Sequence, residues 1–304
     1  FVCWNTRADG SGASFNDCAQ IEVPQKMTLY AQWGVLLTDD MEEWTESTYI
    51  LNSDVTINYR VYIKNSDLRL ILHDGYTLKA DKGIFVSGGV ILTIDADGEG
   101  TGCVDAEAEA DSGYAAIGGN GTVPSGIIII NGGIIEADSD IGAGIGSGLG
   151  SEAVSVTING GKVTARSDTG AGIGGGQSSA GCPVTINGGE VAASSTHGAG
   201  IGGGESGAGG QVAINGGEVA ASSTQGAGIG GGESGAGGQV TINSGTVETS
   251  SVDGMGIGRG IYGSSDGTLE PGAGVRLYAS DNGDNWIDYD SDETRRRFMR
   301  SEKP

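Results

Sequence analysis

Two consecutive segments of 28 residues decide the fold. Val184–Gln211 reads VTINGGEVAASSTHGAGIGGGESGAGGQ, and Val212–Gln239 reads VAINGGEVAASSTQGAGIGGGESGAGGQ, so the two differ at only two positions. The first segment holds three apolar pairs with a spacing of two, which are Val184 and Ile186, Val191 and Ala193, and Ala199 and Ile201. Side chains two apart lie on one face of a strand, and the glycine-rich runs between them are typical of turns. Each segment is therefore predicted to form three short strands and three turns, which make one coil of a parallel β-helix.

The same period extends well beyond these two segments. An asparagine recurs every 28 residues, at Asn131, Asn159, Asn187, Asn215 and Asn243. A single coil cannot bury its inward side chains, but stacked coils bury a continuous column of them. We therefore predict an all-β protein built as a right-handed parallel β-helix with 28-residue coils. Because asparagine tolerates the left-handed backbone of tight turns, we expect the five amides to form a hydrogen-bonded structural ladder along the stack.

Three regions are expected in the body of the chain. Residues 35–115 keep the strand pattern with bulkier Val, Ile and Leu residues, and we interpret them as the N-terminal coils and cap of the β-helix. Residues 116–262 carry the glycine-rich 28-residue repeat. Residues 263–304 break the repeat and contain aromatic residues such as Tyr278 and Trp286, so we predict a C-terminal β cap. The alternative is a disordered glycine-rich linker, which the fixed register of Val and Ile disfavours.

The composition restricts the classes of partner. Glycine supplies 60 of the 304 residues, and the formal net charge is −23. This acidity argues against binding to nucleic acid, whose phosphates attract Lys and Arg, and against docking on anionic lipid. No apolar run of about 18 residues is present, so no membrane span is expected in this fragment. Gly170–Gly175 matches the dinucleotide pattern G-x-G-x-x-G, but no helical pattern follows it to hold a pyrophosphate, and we reject a nucleotide site.

A long coil rich in carboxylates is the best candidate for metal chemistry. Ile94 and Ile130 are 36 residues apart, and Asp105, Glu107 and Glu109 alternate with small apolar residues between them. These three carboxylates are predicted to face outward in one row. Such a cluster could bind Ca²⁺ through its oxygens, or it could supply the acid and base of glycoside cleavage. A solvated acidic face that keeps the protein soluble is the simpler interpretation, and no other cofactor is expected.

The N-terminal segment carries a family resemblance. Phe1–Thr6 reads FVCWNT, Asp9–Gly12 reads DGSG, and Met27–Trp33 reads MTLYAQW. These motifs resemble the second half of the Listeria–Bacteroides repeat, also called the internalin B-type repeat, whose members look like F-x-G-W-x-T, D-G-x-G and T-L-Y-A-x-W. We therefore expect residues 1–34 to be the C-terminal half of such a repeat, a partial β module. Because the first half is missing, we interpret the chain as an internal piece of a larger protein.

The four cysteines fall into two groups. Cys3 stands where the repeat pattern has glycine, and Cys18 also lies at a place that is usually not cysteine. Two additional cysteines in one small module favour a disulfide between them, with two free thiols as the alternative. Cys103 and Cys182 lie far apart in the chain, and we expect them to be buried small residues rather than a pair.

The rest of the chain, about 35–300, resembles the glycine-rich β-helix region that follows such repeats in large surface proteins of Gram-positive bacteria. The motifs that carry the resemblance are Leu70–Leu78 (LILHDGYTL), Gly170–Gly176 (GAGIGGG) and Thr185–Gly189 (TINGG). The resemblance implies a secreted or wall-associated, extracellular protein of adhesin type, and it brings no catalytic residues.

These observations together lead to an expected function. We expect a non-catalytic cell-surface structural or adhesive module, either a stiff stalk or a multivalent binding surface, and not an enzyme. Its expected partners are host or cell-wall glycans or surface proteins. The alternative is a carbohydrate-binding or carbohydrate-active β-helix, of the polysaccharide lyase or glycoside hydrolase kind.

Overall fold

The computed structural model describes residues 3–6, 14–15, 27–273, 275–280, 287–288 and 298–302. Within these ranges the regular elements are all β-strands. Most of the strands stack into three sheets, which we call faces one, two and three, and the chain crosses the faces in that order in every coil. Neighbouring strands of the stack are parallel and come from successive coils. The prediction of an all-β parallel β-helix with 28-residue coils is confirmed.

The strands of each face follow the chain from one end of the stack to the other. Face one contains Val35–Leu36, Thr48–Leu51, Asp67–Leu72, Ile91–Ala96, Ser125–Ile130, Ala153–Ile158, Val184–Ile186, Gln211–Ile214, Gln239–Ile242 and Thr268–Pro271. Face two contains Val55–Ile57, Thr77–Ala80, Cys103–Glu107, Ile134–Ser139, Lys162–Ser167, Glu190–Ser195, Glu218–Ser223 and Thr246–Ser251. Face three contains Glu43–Trp44, Val61–Ile63, Ile84–Phe85, Ile117–Gly118, Ile145–Gly146, Ile173–Gly174, Ile201–Gly202, Ile229–Gly230 and Ile257–Gly258.

The interior is a set of columns in which each side chain meets its own equivalent in the next coil. On face one the column runs through Val156, Val184, Val212 and Val240. All four are at most 2% exposed. Full burial of a side chain of this size contributes about 1.5–3 kcal/mol relative to leaving it in water. The columns therefore hold the stack together, although no single coil has a core of its own.

Glycine is required at one position of every coil on face three. Gly174, Gly202 and Gly230 have φ between 134° and 140°, a range that side chains rarely adopt. A Cβ at any of them would lie within 2.1 Å of the carbonyl oxygen of the equivalent glycine in the next coil. The coils consequently approach each other too closely for any side chain at this corner, which explains the invariant Ile-Gly pair.

The two ends of the stack differ from the repeat. At the N-terminal end, Cys3–Asn5 is the central strand of an antiparallel sheet with Ser14–Phe15 and Tyr30–Gln32. The first coil is closed by Trp44, which is fully buried and stacks on Tyr49 with ring centroids 5.3 Å apart. Cys18 lies outside the described residues, and so does the Cys3–Cys18 disulfide prediction.

At the C-terminal end, antiparallel strands continue face two. Phe298–Glu302 pairs with Thr246–Ser251 and with Arg276–Ser280, and Ile287–Asp288 completes this edge. These strands cover the last parallel strand of face two, whose backbone groups would otherwise be open to pairing with another chain.

Candidate functional site

The predicted asparagines lie in one row at the turn that follows face one. The Nδ2 of each asparagine donates a hydrogen bond to Oδ1 of the asparagine one coil earlier, from Asn159 to Asn131, Asn187 to Asn159, Asn215 to Asn187 and Asn243 to Asn215. The four distances are 2.7 to 2.8 Å. All the amides therefore point the same way, and their dipoles add along the axis of the stack.

The ladder begins one coil earlier than the sequence suggests. Asn131 Nδ2 donates to the Asp95 carboxylate at 2.7 Å, and the other oxygen of Asp95 accepts from the Arg69 guanidinium. The negative carboxylate accepts the first amide donor, and the arginine compensates its charge. The long coil hides this member, because Asp95 precedes Asn131 by 36 residues. The available signal is that Asp95 follows Ile94 as Asn131 follows Ile130.

A second ladder, made of serines, runs inside the corner after face two. Ser167, Ser195 and Ser223 are nearly buried, and each Oγ donates to a carbonyl oxygen of the preceding coil at 2.7 Å. Each Oγ also accepts a hydrogen bond from the backbone N–H three residues later at 2.9 to 3.0 Å. One hydroxyl thus satisfies a donor and an acceptor that would otherwise be buried without partners. The 28-residue serine period was the missed signal.

A buried arginine was also missed. Arg60 is 5% exposed, and its guanidinium donates to Lys82 O at 2.8 Å and to Gly119 O at 3.2 Å. The group lies over the ring of Tyr114, with Cζ 4.8 Å from the centroid. Burial lowers the pKa of Arg60 to about 10. Arg60 therefore links the coils on both sides of the long coil, where the 28-residue period is interrupted.

The three calcium candidates lie on the outer surface of face two and its following turn, in the predicted row. Asp105 is in register with Lys79 on the preceding strand, and Glu109 forms an ion pair with Lys82 at 2.9 Å. Nearby carboxylates, among them Asp105 and Glu107, contribute to the raised pKa of Lys79, after the larger effect of its hydrogen bond and attraction to Asp81. The preceding strand thus supplies cations to this acidic row. Among the described residues no group of three or more His, Cys, Asp or Glu is arranged to hold a metal ion, so Asp105, Glu107 and Glu109 do not converge on one point.

A shallow groove of about 320 Å³ lies where the strands of face two end. It crosses three coils and is lined by Asp138, Ser139, Asp140, Arg166, Ser167, Asp168, Ser194, Ser195 and Thr196. Partial burial raises the pKa of the Asp138 carboxyl, Arg166 opposes this shift, and Asp140 reinforces it. The groove therefore offers hydroxyl, guanidinium and carboxylate groups side by side, which is a set suited to hydrogen bonding with hydroxyl-rich ligands.

The corner beside this groove distinguishes the two near-identical segments. His197 replaces the glutamine at position 225, and its Nδ1 lies 3.1 Å from Glu233 Oε2. On the preceding coil Gln177 donates to Glu205 at 2.5 Å. The corner thus carries a column of paired polar side chains rather than an isolated exposed histidine.

The two described free cysteines are not close to reactive groups of this surface. Cys182 is 3% exposed in the core, and burial raises its pKa to about 12. Cys103 is half-buried, and burial raises its pKa to about 11. Both thiols are therefore protonated at neutral pH, which makes them poor nucleophiles.

Comparison with known proteins agrees with the fold. Four stretches match the family model described as a beta helix repeat, at residues 128–149, 156–177, 184–205 and 212–233. These stretches lie in successive coils of the glycine-rich region. The comparisons with curated proteins and with solved structures gave no significant match. In the part of the chain that the structure describes, no helix is long and apolar enough to cross a membrane.

The chain is therefore a parallel β-helix repeat protein, on the combined evidence of its repeat and its stacked sheets. The structure brings the five predicted asparagines into one ladder and leaves the three calcium candidates apart. The concave surface with the richest polar lining is the groove across face two, which lies about one coil beyond the acidic row.

Proposed function

We propose that this chain is a non-catalytic structural and adhesive module displayed on the surface of a bacterial cell. The amide ladder is the observation that carries the proposal. It continues without interruption from Asp95 to Asn243 and joins six coils by side-chain hydrogen bonds alone. Bonds of this kind resist both bending and sliding of one coil over the next, which is what a stalk needs.

The dimensions support a spacer. Face three has nine strands in one stack, and a spacing of about 4.8 Å gives a rise of about 38 Å. The near-identical coils present the same outward side chains twice. Identical surfaces at a fixed spacing suit weak contacts that add by multivalency better than they suit a single reaction centre. The extracellular location rests on the resemblance of residues 1–34 to a module of surface proteins.

The stalk function is tested by mechanical unfolding of single molecules, with the protein held between tandem handle domains. A stalk is expected to unfold in steps that each release about one coil, at forces that fall when Asn187 is replaced by Ala. Replacement of the exposed Asn52, which lies outside the ladder, serves as the matched control. Unfolding at a low force that is the same for both variants would remove the support for a load-bearing ladder. Antibody labelling of intact cells of the source organism tests the location.

The adhesive part is tested on immobilised glycans. Residues 35–304 are applied with calcium and with EDTA, and both binding and loss of glycan are recorded. Binding without loss supports adhesion, and loss of glycan supports the carbohydrate-active alternative. Sensitivity to EDTA, abolished by replacing Asp105 and Glu107 with Asn and Gln, would support a calcium role for the acidic row.

The groove supports glycan binding as a second candidate function. Its lining combines Arg166 with Asp138, Asp168 and serine hydroxyls, and groups of these types bind sugar hydroxyls without catalysis. The Arg166→Ala variant is expected to weaken any glycan binding at least tenfold. Lys162→Ala removes a cation four residues away that is paired with Glu190 at 2.8 Å, outside the groove lining, and is expected to leave binding unchanged. Equal loss in both variants would place the binding elsewhere.

A further inference from the structure

Three exposed apolar side chains lie together on the last coil of the repeat. Val252, Ile261 and Tyr262 are 56%, 36% and 68% exposed, and we call them the apolar corner patch. Asp253 N–H donates to Thr224 O, and Ile261 N–H donates to Gln225 O, so the two backbone segments of the patch contact adjacent residues of the coil below. The patch thus occupies the corner that carries polar pairs in the preceding coils.

The backbone of the patch repeats the earlier coils. Each patch residue makes the hydrogen bond that its equivalent makes one coil earlier: Val252 N–H to Ser223 O as Thr224 N–H to Ser195 O, Ile261 N–H to Gln225 O as Glu233 N–H to His197 O, and Tyr262 N–H to Glu233 O as Ser234 N–H to Glu205 O. The fold at this corner is therefore the same as before. It places no demand on these three side chains that the polar residues of the earlier coils do not meet.

Only the side chains change, and they change together. In the three preceding coils the positions equivalent to Val252 hold Asp168, Thr196 and Thr224, those equivalent to Ile261 hold Gln177, Glu205 and Glu233, and those equivalent to Tyr262 hold Ser178, Ser206 and Ser234. Nine polar residues are thus followed by three apolar ones on the same surface. Exposure of grouped apolar side chains costs free energy in water, and it is typical of an interaction surface.

The charge around the patch favours a basic partner. Asp253 is exposed next to Val252, and Glu233 lies beside Tyr262. The described cations near the patch are already engaged, since Arg259 pairs with Asp266 at 2.7 Å and His197 with Glu233. With a net charge of −23, a second copy of the chain would bring like charges together.

We propose that the apolar corner patch docks a basic protein surface, one that presents apolar side chains inside a rim of Lys and Arg. Tyr262 is the central anchor, because a tyrosine brings a large apolar area and a hydroxyl with few rotatable bonds. The acidic rim steers the approach of the partner, and the three apolar side chains provide the contact that excludes water. This inference does not depend on the adhesive role proposed above.

The test uses a variant written by the repeat itself. Val252→Thr, Ile261→Gln and Tyr262→Ser together restore residues found at the same positions of earlier coils, and they leave the charge unchanged. The probe is a fluorescent amphipathic peptide of Leu and Lys. Two companion peptides replace its Leu by Ser or its Lys by Glu. Binding is measured by anisotropy at low and high salt, and the bound site by hydrogen exchange.

The Leu–Lys peptide is expected to bind the native chain at least tenfold more tightly than the variant, with protection at 250–263. The Leu-to-Ser peptide should bind both chains equally and weakly, and the Lys-to-Glu peptide should bind neither. A control variant, Tyr76→Ser with Val123→Thr, removes exposed apolar side chains elsewhere and should bind like the native chain. Equal affinity of the native chain and the patch variant would overturn the proposal. So would light scattering that shows a dimer abolished by the patch variant, since the occupant would then be a second copy.

Discussion

Removal of a middle rung of the amide ladder should cost more than removal of its last rung. Asn187 donates to Asn159 and accepts from Asn215, both at 2.8 Å. Asn243 donates to Asn215 at 2.8 Å, and Gly272 follows at the equivalent place of the next coil, so its own oxygen has no asparagine to accept from. Asn187→Ala thus deletes two side-chain bonds and Asn243→Ala deletes one. At about 0.5–1 kcal/mol for each exposed bond, the expected losses are about 1–2 and about 0.5–1 kcal/mol.

The assay is urea unfolding followed by circular dichroism, with hydrogen exchange to locate the weakened coils. A repeat protein can lose cooperativity when one interface is weakened. For that reason the comparison uses the exchange rates of the coils on either side of the rung as well as the midpoint. Asn52→Ala is the control, because Asn52 is exposed and lies outside the ladder. A destabilisation by Asn187→Ala no larger than that of the control would refute the energetic role of the ladder.

An acidic substitution gives the same prediction a pH signature. In Asn187→Asp the new carboxylate can still accept from Asn215, but it faces Asn159 Oδ1 without a proton to donate. Because the folded state then favours the protonated acid, the pKa of this group should rise above the ordinary value of about 3.9. Its stabilising bond is present below that value and lost as the pH rises through the folded-state pKa. The variant should therefore gain stability relative to the native chain on acidification, and a constant difference would contradict the donor role.

Three further predictions follow from other columns. Gly202→Ala should destabilise the protein by about 3 kcal/mol or more, because its Cβ would lie 2.0 Å from Gly230 O, whereas Gly75→Ala, which has open space and φ of +79°, should cost only about 1–2 kcal/mol in thermal unfolding. Ser195→Ala leaves a buried N–H unpaired and should cost about 2 kcal/mol by urea titration, and Ser195→Thr should not restore the loss if the missing space rather than the hydroxyl decides. Cys182, whose pKa is raised to about 12 by burial, should react with iodoacetamide at the rate of global unfolding, and rapid labelling of the folded chain would contradict the burial.

The fold was predictable because its energy lies in the repeated pattern. The spacing of two within each apolar pair and the period of 28 residues specify which side chains enter the interior, and Val184 and Ile201 lie there. The Asn column was predictable for the same reason. Asp95 was not, because the 36-residue coil breaks the period that reveals the other members. A ladder that ends on a carboxylate needs a counter-charge, and Arg69 comes from a coil where no repeat could indicate it.

The acidic row shows why outward residues are harder to predict than inward ones. Alternation correctly places Asp105 and Glu107 outside, but it does not say what faces them. That depends on the register with the preceding strand, which brings Lys79 beside Asp105. Inward residues are constrained by shape along one column, whereas outward residues respond to neighbours that only the stacking reveals.

The few differences between near-identical coils therefore indicate where function can reside. The interior and the glycine corner admit almost no change, since a Cβ at Gly202 already meets the next coil. The two substitutions between the repeated segments both fall outside this constraint. Thr185 becomes Ala213 on the outer surface of face one, where a depression of about 200 Å³ lies over these coils. His197 becomes Gln225 at the corner, one coil below the apolar patch that includes Tyr262. Because the backbone is the same in every coil, a change confined to outward side chains alters what the surface can bind without any cost to the stack.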